Sequence, residues 1–298
     1  IVYWDYHFKE EKISLEDCKI KFNRLFEKSI DYCSISDLEV GSYLSGGIDT
    51  GLICGVASKK NKNLKTFTCG FDISSASGIE KNFDERIIAE EMAGYFGTDH
   101  YEKILSSKDM ESIINPLNKC LDEPKLGQSY PSYYITKMAS KFVKVILSGT
   151  GGDEMFAGYP WRYFYDKKVN SFDEFKEQYF QYWQRLVPSS QFDDFFKPIS
   201  GEVSKQYVKD VFYSVFRPLE KNSFDKNQTI NYSLYFEAKT FLPSLLLIED
   251  RISMNFGLES RYPFLENNLV DFALKCPTKY KIKNLQSIRK FKLNENTI

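Results

Sequence analysis

Two short stretches hold residues whose types and spacing can do chemistry. The first is Glu39–Gly51, EVGSYLSGGIDTG. Val40, Tyr43 and Leu44 form an apolar approach of strand type. It runs into Ser45-Gly46-Gly47, then Ile48-Asp49-Thr50, then an apolar run of helix length. A strand, a Ser-Gly-Gly turn and a helix N-terminus make a cradle for phosphate. Glycine lets the backbone approach an anion with no Cβ in the way. The N–H groups and dipole of a helix start favour negative charge. Ser45 and Thr50 add hydroxyl donors. Asp49 would repel a phosphate unless a cation such as Mg²⁺ lay between them, so the combination predicts a nucleoside triphosphate with its metal. The lysine and spacing of a Walker A loop are absent, and so is G-x-G-x-x-G.

The second stretch is Leu147–Tyr159, LSGTGGDEMFAGY. Again a strand ends in Ser148-Gly149, glycines follow at Gly151-Gly152, and carboxylates come at once in Asp153 and Glu154. One Ser-Gly-Gly is more often just a tight strand–helix turn. Two such turns with trailing acids, on strands of one parallel sheet, would enclose a triphosphate and its Mg²⁺ from both sides. A third stretch, Phe241–Leu265, carries Glu249, Asp250 and Arg251 on an otherwise apolar helix, with Glu259, Arg261 and Pro263 after it. Charges amid apolar surface need partners; the plain expectation is an ion-pair network involving Arg251 and Glu259.

The elements that position these stretches follow from periodicity. Leu15, Cys18, Phe22, Leu25, Phe26 and Ile30 recur at helical spacing after a Ser14/Asp17 cap. Strands are predicted at Val40–Leu44, Leu64–Phe71, Tyr101–Leu105 and Phe142–Leu147. Helices are predicted after the first cradle, at Asp84–Phe96 (ended by Gly97), Ser107–Leu121 and Pro131–Lys141. Asp72–Lys81 reads as a polar loop, and Asp122-Glu123-Pro124 as a break. Alternating strands and helices over residues 14–150 predict a mostly parallel sheet with ligands beyond the carboxyl ends of its strands. From Asp153 onward the strand signal disappears, and aromatic-rich helices are predicted at Phe172–Leu186, Glu202–Phe216 and Ile230–Leu247.

Composition bounds the function. The chain has 298 residues, 42% of them hydrophobic and 16% aromatic, so a sizeable core is available. A net charge of −1 gives no electrostatic case for nucleic acid or an anionic membrane. No apolar run approaches the ~20 residues that span a bilayer. The six cysteines are scattered with no C-x-x-C, which reads as a reducing, cytoplasmic setting. His7 and His100 are the only histidines, and neither sits in a context for a metal site or a Ser-His-Asp triad.

Ser-Gly-Gly-x-Asp-[Ser/Thr] resembles the pyrophosphate loop of N-type ATP pyrophosphatases. LSGTGGDEMFAGY and LLLIEDRISMNFGLESRYPFLENNLVDFA resemble signature segments of the synthetase half of the asparagine synthetase family. Tyr3-Trp4-Asp5, Asp84-Glu85 and Asp122-Glu123-Pro124 fit as well. The resemblance implies an α/β fold of adenine-nucleotide α-hydrolase (PP-loop ATPase) type. Its parallel sheet has helices on both faces, and an all-helical C-terminal extension follows. It implies a linker over 1–13, an α/β nucleotide-binding core over 14–160 and a helical part over 161–298. Both ends read as cut, with a glutaminase domain before the chain and further sequence after it.

The implied reaction is ATP-dependent adenylation of aspartate, then ammonia attack to give asparagine, AMP and pyrophosphate. The partners implied are ATP, aspartate, ammonia from a glutaminase domain and, in the full-length protein, a homodimer. By resemblance, Ser45, Gly46, Gly47 and Thr50 hold pyrophosphate, and Asp49 and Asp153 hold Mg²⁺. Leu44 and Cys69 flank the adenine, while Ser148 and Gly149 meet the ribose or α-phosphate. The catalytic set is Asp49, Asp153 and Thr150. Three departures stand out. Thr150 occupies a position where the family places an acid, and threonine is no carboxylate base. Gly127-Gln128 stand near the expected substrate-carboxylate arginine. The family's late K-x-x-L-R lysine has no clear match, although Arg289, Lys290 and Lys292 are present. These departures keep two alternatives open: the same chemistry on another carboxylate, or an inactive nucleotide-binding scaffold.

Overall fold

The computed structural model describes residues 3–72, 74, 84–122, 129–163, 169–184, 187, 190–202, 204–220 and 223–282. Glu123-Pro124, Gly127-Gln128, Arg289, Lys290, Lys292 and most of the predicted Asp72–Lys81 loop lie outside them. The chain runs α1 (Leu15–Cys33), β1 (Val40–Tyr43), α2 (Ile48–Lys60), β2 (Lys65–Phe71), α3 (Arg86–Phe96), β3 (Asp99–Leu105), α4 (Ser107–Leu121), α5 (Ser129–Ala139) and β4 (Val145–Leu147). Then come α6 (Gly152–Phe156), α7 (Phe172–Trp183), α8 (Phe192–Phe195), α9 (Lys205–Ser214), α10 (Thr229–Lys239), α11 (Phe241–Asn255), β5 (Glu259–Arg261), α12 (Asn267–Lys275) and α13 (Thr278–Lys281).

Local chemistry sets the boundaries. Ser14 caps α1, its hydroxyl accepting from the Asp17 N–H at 3.0 Å and donating to the Asp17 carboxylate at 2.6 Å. A full capping box opens α4, where the Asp109 carboxylate accepts from the Ser106 N–H at 2.8 Å. Gly97 ends α3 at φ +67°, a left-handed conformation that glycine adopts without a Cβ penalty.

Two compact units divide the chain. One comprises Ile13–Asp153 with Leu242–Ala273. Its five strands are all parallel, in the order β3-β2-β1-β4-β5. The chain therefore builds outward from β1 to β2 and β3, then returns to lay β4 on the other side of β1. Helices cover both faces, as predicted. On one face α5 packs Ile135 and Ala139 against Phe67, Val143 and Ile146. On the other, α2 and α3 pack Cys54, Ala89 and Ala93 against Leu44.

The extension after the sheet is not all helical. β5 extends the sheet by pairing in parallel with β4, Ile146 opposite Ser260. Three residues flanked by glycine and proline carry no period-two signal, so this strand is set by its neighbour rather than by its own sequence. The helix predicted over Ile230–Leu247 is two helices, α10 and α11, parted at Thr240, whose backbone leaves the helical region. Pro243 then lies in the first turn of α11, where a missing N–H costs nothing.

The other unit comprises Ile1–Lys12, Glu154–Phe241 and Leu274–Ile298. Its core is aromatic: Phe175, Tyr179, Phe216 and Phe236 are buried together, with Tyr179 and Phe236 edge to face at 5.5 Å. Beside it Glu237, wholly buried, accepts from the Tyr179 hydroxyl at 3.1 Å and faces the Arg162 guanidinium at 3.4 Å. That guanidinium lies 3.7 Å over the Tyr159 ring. Desolvation outweighs these partners and raises the Glu237 carboxyl to about 7.

Neither Gly94 nor Gly97 has anything within 4 Å of an added Cβ, so both report backbone conformation alone. Gly97→Ala will lower stability by about 1 kcal/mol, while Gly94→Ala, inside α3, will raise it by about 0.5–1 kcal/mol; denaturant midpoints check both. Glu237 binds its proton more tightly folded than unfolded. Its stabilising contribution is therefore greatest below the ordinary glutamate range and falls as pH rises toward about 7. The difference in unfolding free energy, wild type minus Glu237→Gln, will decline across that window.

Candidate functional site

The sheet order reverses between β1 and β4, and at such switch points a crevice opens beyond the carboxyl ends of the strands. Both Ser-Gly turns lie there. Ser42 of β1 is in register with Leu147 of β4, so the two strands end side by side.

The first turn holds itself together. The Ser45 N–H donates to the Thr50 hydroxyl at 3.0 Å, the Gly47 N–H donates to the Ser45 hydroxyl at 3.1 Å, and the two hydroxyls lie 3.0 Å apart. Gly47 is the N-cap of α2 and supplies no side-chain cap. The start of the helix is thereby left open to an anion. The Gly46 N–H donates to the Glu85 carboxylate at 3.2 Å.

The second turn is fixed by β5 and α11. The Ser148 N–H donates to the Arg261 carbonyl at 2.9 Å. Arg261 itself is held by Glu259 at 2.8 Å and by the Cys33 carbonyl at 3.0 Å. Gly151 takes φ +99°, and an added Cβ would fall 2.5 Å from Leu265. Conformation and space both demand glycine there.

The two turns form one site. A Cβ on Gly149 would sit 3.0 Å from the Thr50 methyl and 3.2 Å from the Asp49 Cβ. A Cβ on Gly152 would sit 2.5 Å from the Asp49 carboxyl carbon. Asp153 is the next residue. Ser45, Gly46, Gly47, Asp49, Thr50, Ser148, Gly149, Thr150 and Asp153 thus gather around the β1–β4 ends. Leu44 and Cys69 do not converge through their side chains. Leu44 is buried under α2 and α3, and its backbone is spent on β2, accepting from the Thr68 hydroxyl and donating to Phe67. Cys69 packs on the opposite face of the sheet, where burial raises its thiol to about 12.

Periodicity and composition did not single out what lies beneath Thr150. The Thr150 hydroxyl donates to Glu249 Oε2 at 2.8 Å, and the Ser148 hydroxyl reaches the same oxygen at 3.1 Å. Glu249 Oε1 is buried without a hydrogen-bond partner. Desolvation raises the Glu249 carboxyl, and the hydroxyls of Ser148, Thr150 and Ser260 only partly offset it. The signal was present as a charge on an apolar helix, but its partners proved different from the expected ones. Of the expected ion-pair network, Glu259 does pair with Arg261, while Arg251 donates to the Leu121 carbonyl.

The residues fit a triphosphate with Mg²⁺. Among the described residues no cluster of three or more metal-binding side chains exists. A pair of carboxylates completed by phosphate oxygens is the donor set Mg²⁺ usually takes. No helix among the described residues is long and apolar enough to cross a membrane.

Comparison with known proteins agrees with this picture. The family model described as Asparagine synthase matches residues 21–293. The chain belongs to the asparagine synthase family. It is 29% identical over 274 residues to asparagine synthetase [glutamine-hydrolyzing] 1 of Bacillus subtilis, covering 84% of this chain and 42% of that protein. It is 26% identical to asparagine synthetase [glutamine-hydrolyzing] 3 of the same organism, covering 94% of this chain and 46% of that protein. The chain thus spans less than half the length of these relatives. Among solved structures, an NMN synthetase from Francisella tularensis is similar at 13% identity, covering 75% of this chain and 94% of that chain, with a TM-score of 0.34.

Because the Gly152 position abuts the Asp49 carboxylate, Gly152→Ala will force Asp49 aside. Overpacking of this kind costs ~1–3 kcal/mol. The denaturation midpoint of the variant will fall accordingly, with the native circular dichroism spectrum unchanged.

Proposed function

We propose that the chain makes an amide from a carboxylic acid and ammonia at the expense of ATP, with aspartate as the acid and asparagine as the product. The observation that supports this reading is the approach of the second turn to the first, with Gly149 and Gly152 against Thr50 and Asp49. The meeting turns then offer hydroxyls, glycine backbone and the Asp49 carboxylate to a single polyphosphate, with Asp153 next along the chain.

A carboxylate is a poor electrophile and must first be activated. Its oxygen attacks the α-phosphorus, the α–β anhydride bond breaks and pyrophosphate departs. Ammonia then attacks the acyl carbon, loses a proton, and AMP leaves. Ser45, Gly46, Gly47 and Thr50 hold the departing pyrophosphate by backbone and hydroxyl donors. Ser148 and Gly149 position the α-phosphate and ribose. Asp49 and Asp153 are the residues that would hold Mg²⁺, which supplies charge neutralisation at the phosphate oxygens. Catalysis of this kind is chiefly positioning and electrostatics.

Thr150 cannot take the ammonia's proton, but its hydroxyl rests on Glu249. Glu249 supplies the missing carboxylate. A buried acid whose proton affinity desolvation raises above the ordinary carboxylate range is the kind of base this step needs. Ammonia comes from glutamine hydrolysis, in keeping with the names of the relatives.

The test measures pyrophosphate and amide separately, with ATP, Mg²⁺, ammonium and a panel of acids. Pyrophosphate release that depends on aspartate, with asparagine formed, supports the reading. Release only with another acid moves the chain to a different substrate. Glu249→Gln will lower amide formation by about 10²-fold while pyrophosphate release changes far less; equal losses in both would remove Glu249 from the amidation step.

A further inference from the structure

The backbone N–H groups of Ser45, Gly46 and Gly47 are all engaged. Those of Ser45 and Gly47 are used by the loop's own hydroxyls. That of Gly46 is used by a carboxylate from elsewhere, Glu85 Oε2 at 3.2 Å. An anion therefore already sits on the loop at the donor that a phosphate oxygen would use.

The backbone behind that carboxylate is fixed. Glu85 immediately precedes α3, and its carbonyl accepts from the Ala89 N–H at 3.0 Å. On either side, Asp84 and Arg86 are paired at 2.6 Å, and Arg86 donates to the Phe71 carbonyl at 3.0 Å. The start of α3 rests directly on the turn. A Cβ on Gly46 would lie 3.0 Å from Glu85 Cβ and 3.1 Å from Ile88 Cβ. The Glu85 residue is itself exposed, so its carboxylate is free to rotate into solvent while its backbone stays.

We infer that Glu85 is a built-in competitor for the phosphate loop: its carboxylate occupies the Gly46 N–H, and an incoming polyphosphate must displace it. The inference rests on the nucleotide reading of the site. It makes Glu85 a selectivity device, since an anion that binds weakly cannot repay the displacement, while a polyphosphate engaging several donors at once can.

The alternative is that Glu85 is a strut that shapes the loop, and the two differ in sign. Inorganic pyrophosphate, without metal, is titrated calorimetrically into the wild-type protein and into Glu85→Gln, Glu85→Ala and, as an equal change of charge farther along α3, Glu90→Gln. A competitor's removal tightens pyrophosphate about two- to five-fold in both Glu85 variants, the scale of one exposed charged contact, and Glu90→Gln changes it less. The gain shrinks in high salt. Unchanged or weakened binding in the Glu85 variants, or an equal gain in Glu90→Gln, overturns the inference. Should the wild-type protein bind neither pyrophosphate nor magnesium-ATP, the nucleotide reading itself falls and takes this inference with it. Binding of magnesium-ATP with no gain in the Glu85 variants removes the inference alone.

Discussion

The close contact between the second glycine turn and the Asp49–Thr50 step is the constraint on which the site depends. Hydrogen is the only side chain that fits at 149 and 152 without moving Asp49 or Thr50. That contact exists because β1 and β4 are neighbours although Ser42 and Leu147 stand 105 positions apart. Two turns that look independent in the sequence are brought together by the reversal of strand order. The same reversal explains why β5 matters. It closes the far side of β4 and, through the Arg261 carbonyl, fixes the Ser148 N–H.

Buried carboxylates carry the second theme. Glu249 lies under the site and Glu237 in the aromatic unit, and in both desolvation prevails over the hydrogen bonds that favour charge. Each is held by hydroxyls, from Ser148 and Thr150 in one case and from Tyr179 in the other. A hydroxyl steadies a carboxylate without fully neutralising it, so both acids keep a proton affinity above the ordinary range. Glu237 also has a guanidinium within reach, but its complete burial outweighs that partner.

Much of this was legible in the sequence, for identifiable reasons. The helices of the sheet unit announced themselves by 3.6-residue periodicity and by caps such as Ser14 and Gly97. The long strand β2 stood out by its β-branched and aromatic content. The two Ser-Gly turns stood out because the same pattern, glycines with trailing acids, closes two different strands. What escaped depended on partners distant in the chain. β5 is three residues long, and its identity lies in the free edge of β4. Glu249 looked like one charge among three until the fold placed it under Thr150. The parting of α10 from α11 at Thr240 broke a pattern of apolar residues that runs through both helices unaltered. Leu44, a strand-end residue, spends its side chain on the core and its backbone on β2.

The strand order also imposes a calendar on synthesis. β1, β2 and β3 leave the ribosome in succession and can pair at once, but the other edge of β1 waits for β4, and the free edge of β4 waits for β5 at Glu259–Arg261. Until then a hydrogen-bonding edge stands open in the middle of the future sheet, the kind of edge that recruits other chains. A nascent chain that pauses between Gly51 and Leu147 would hold one of the two glycine turns beside an unpaired strand. The order in which the strands are made, as much as their final pairing, therefore sets how long that edge stays open.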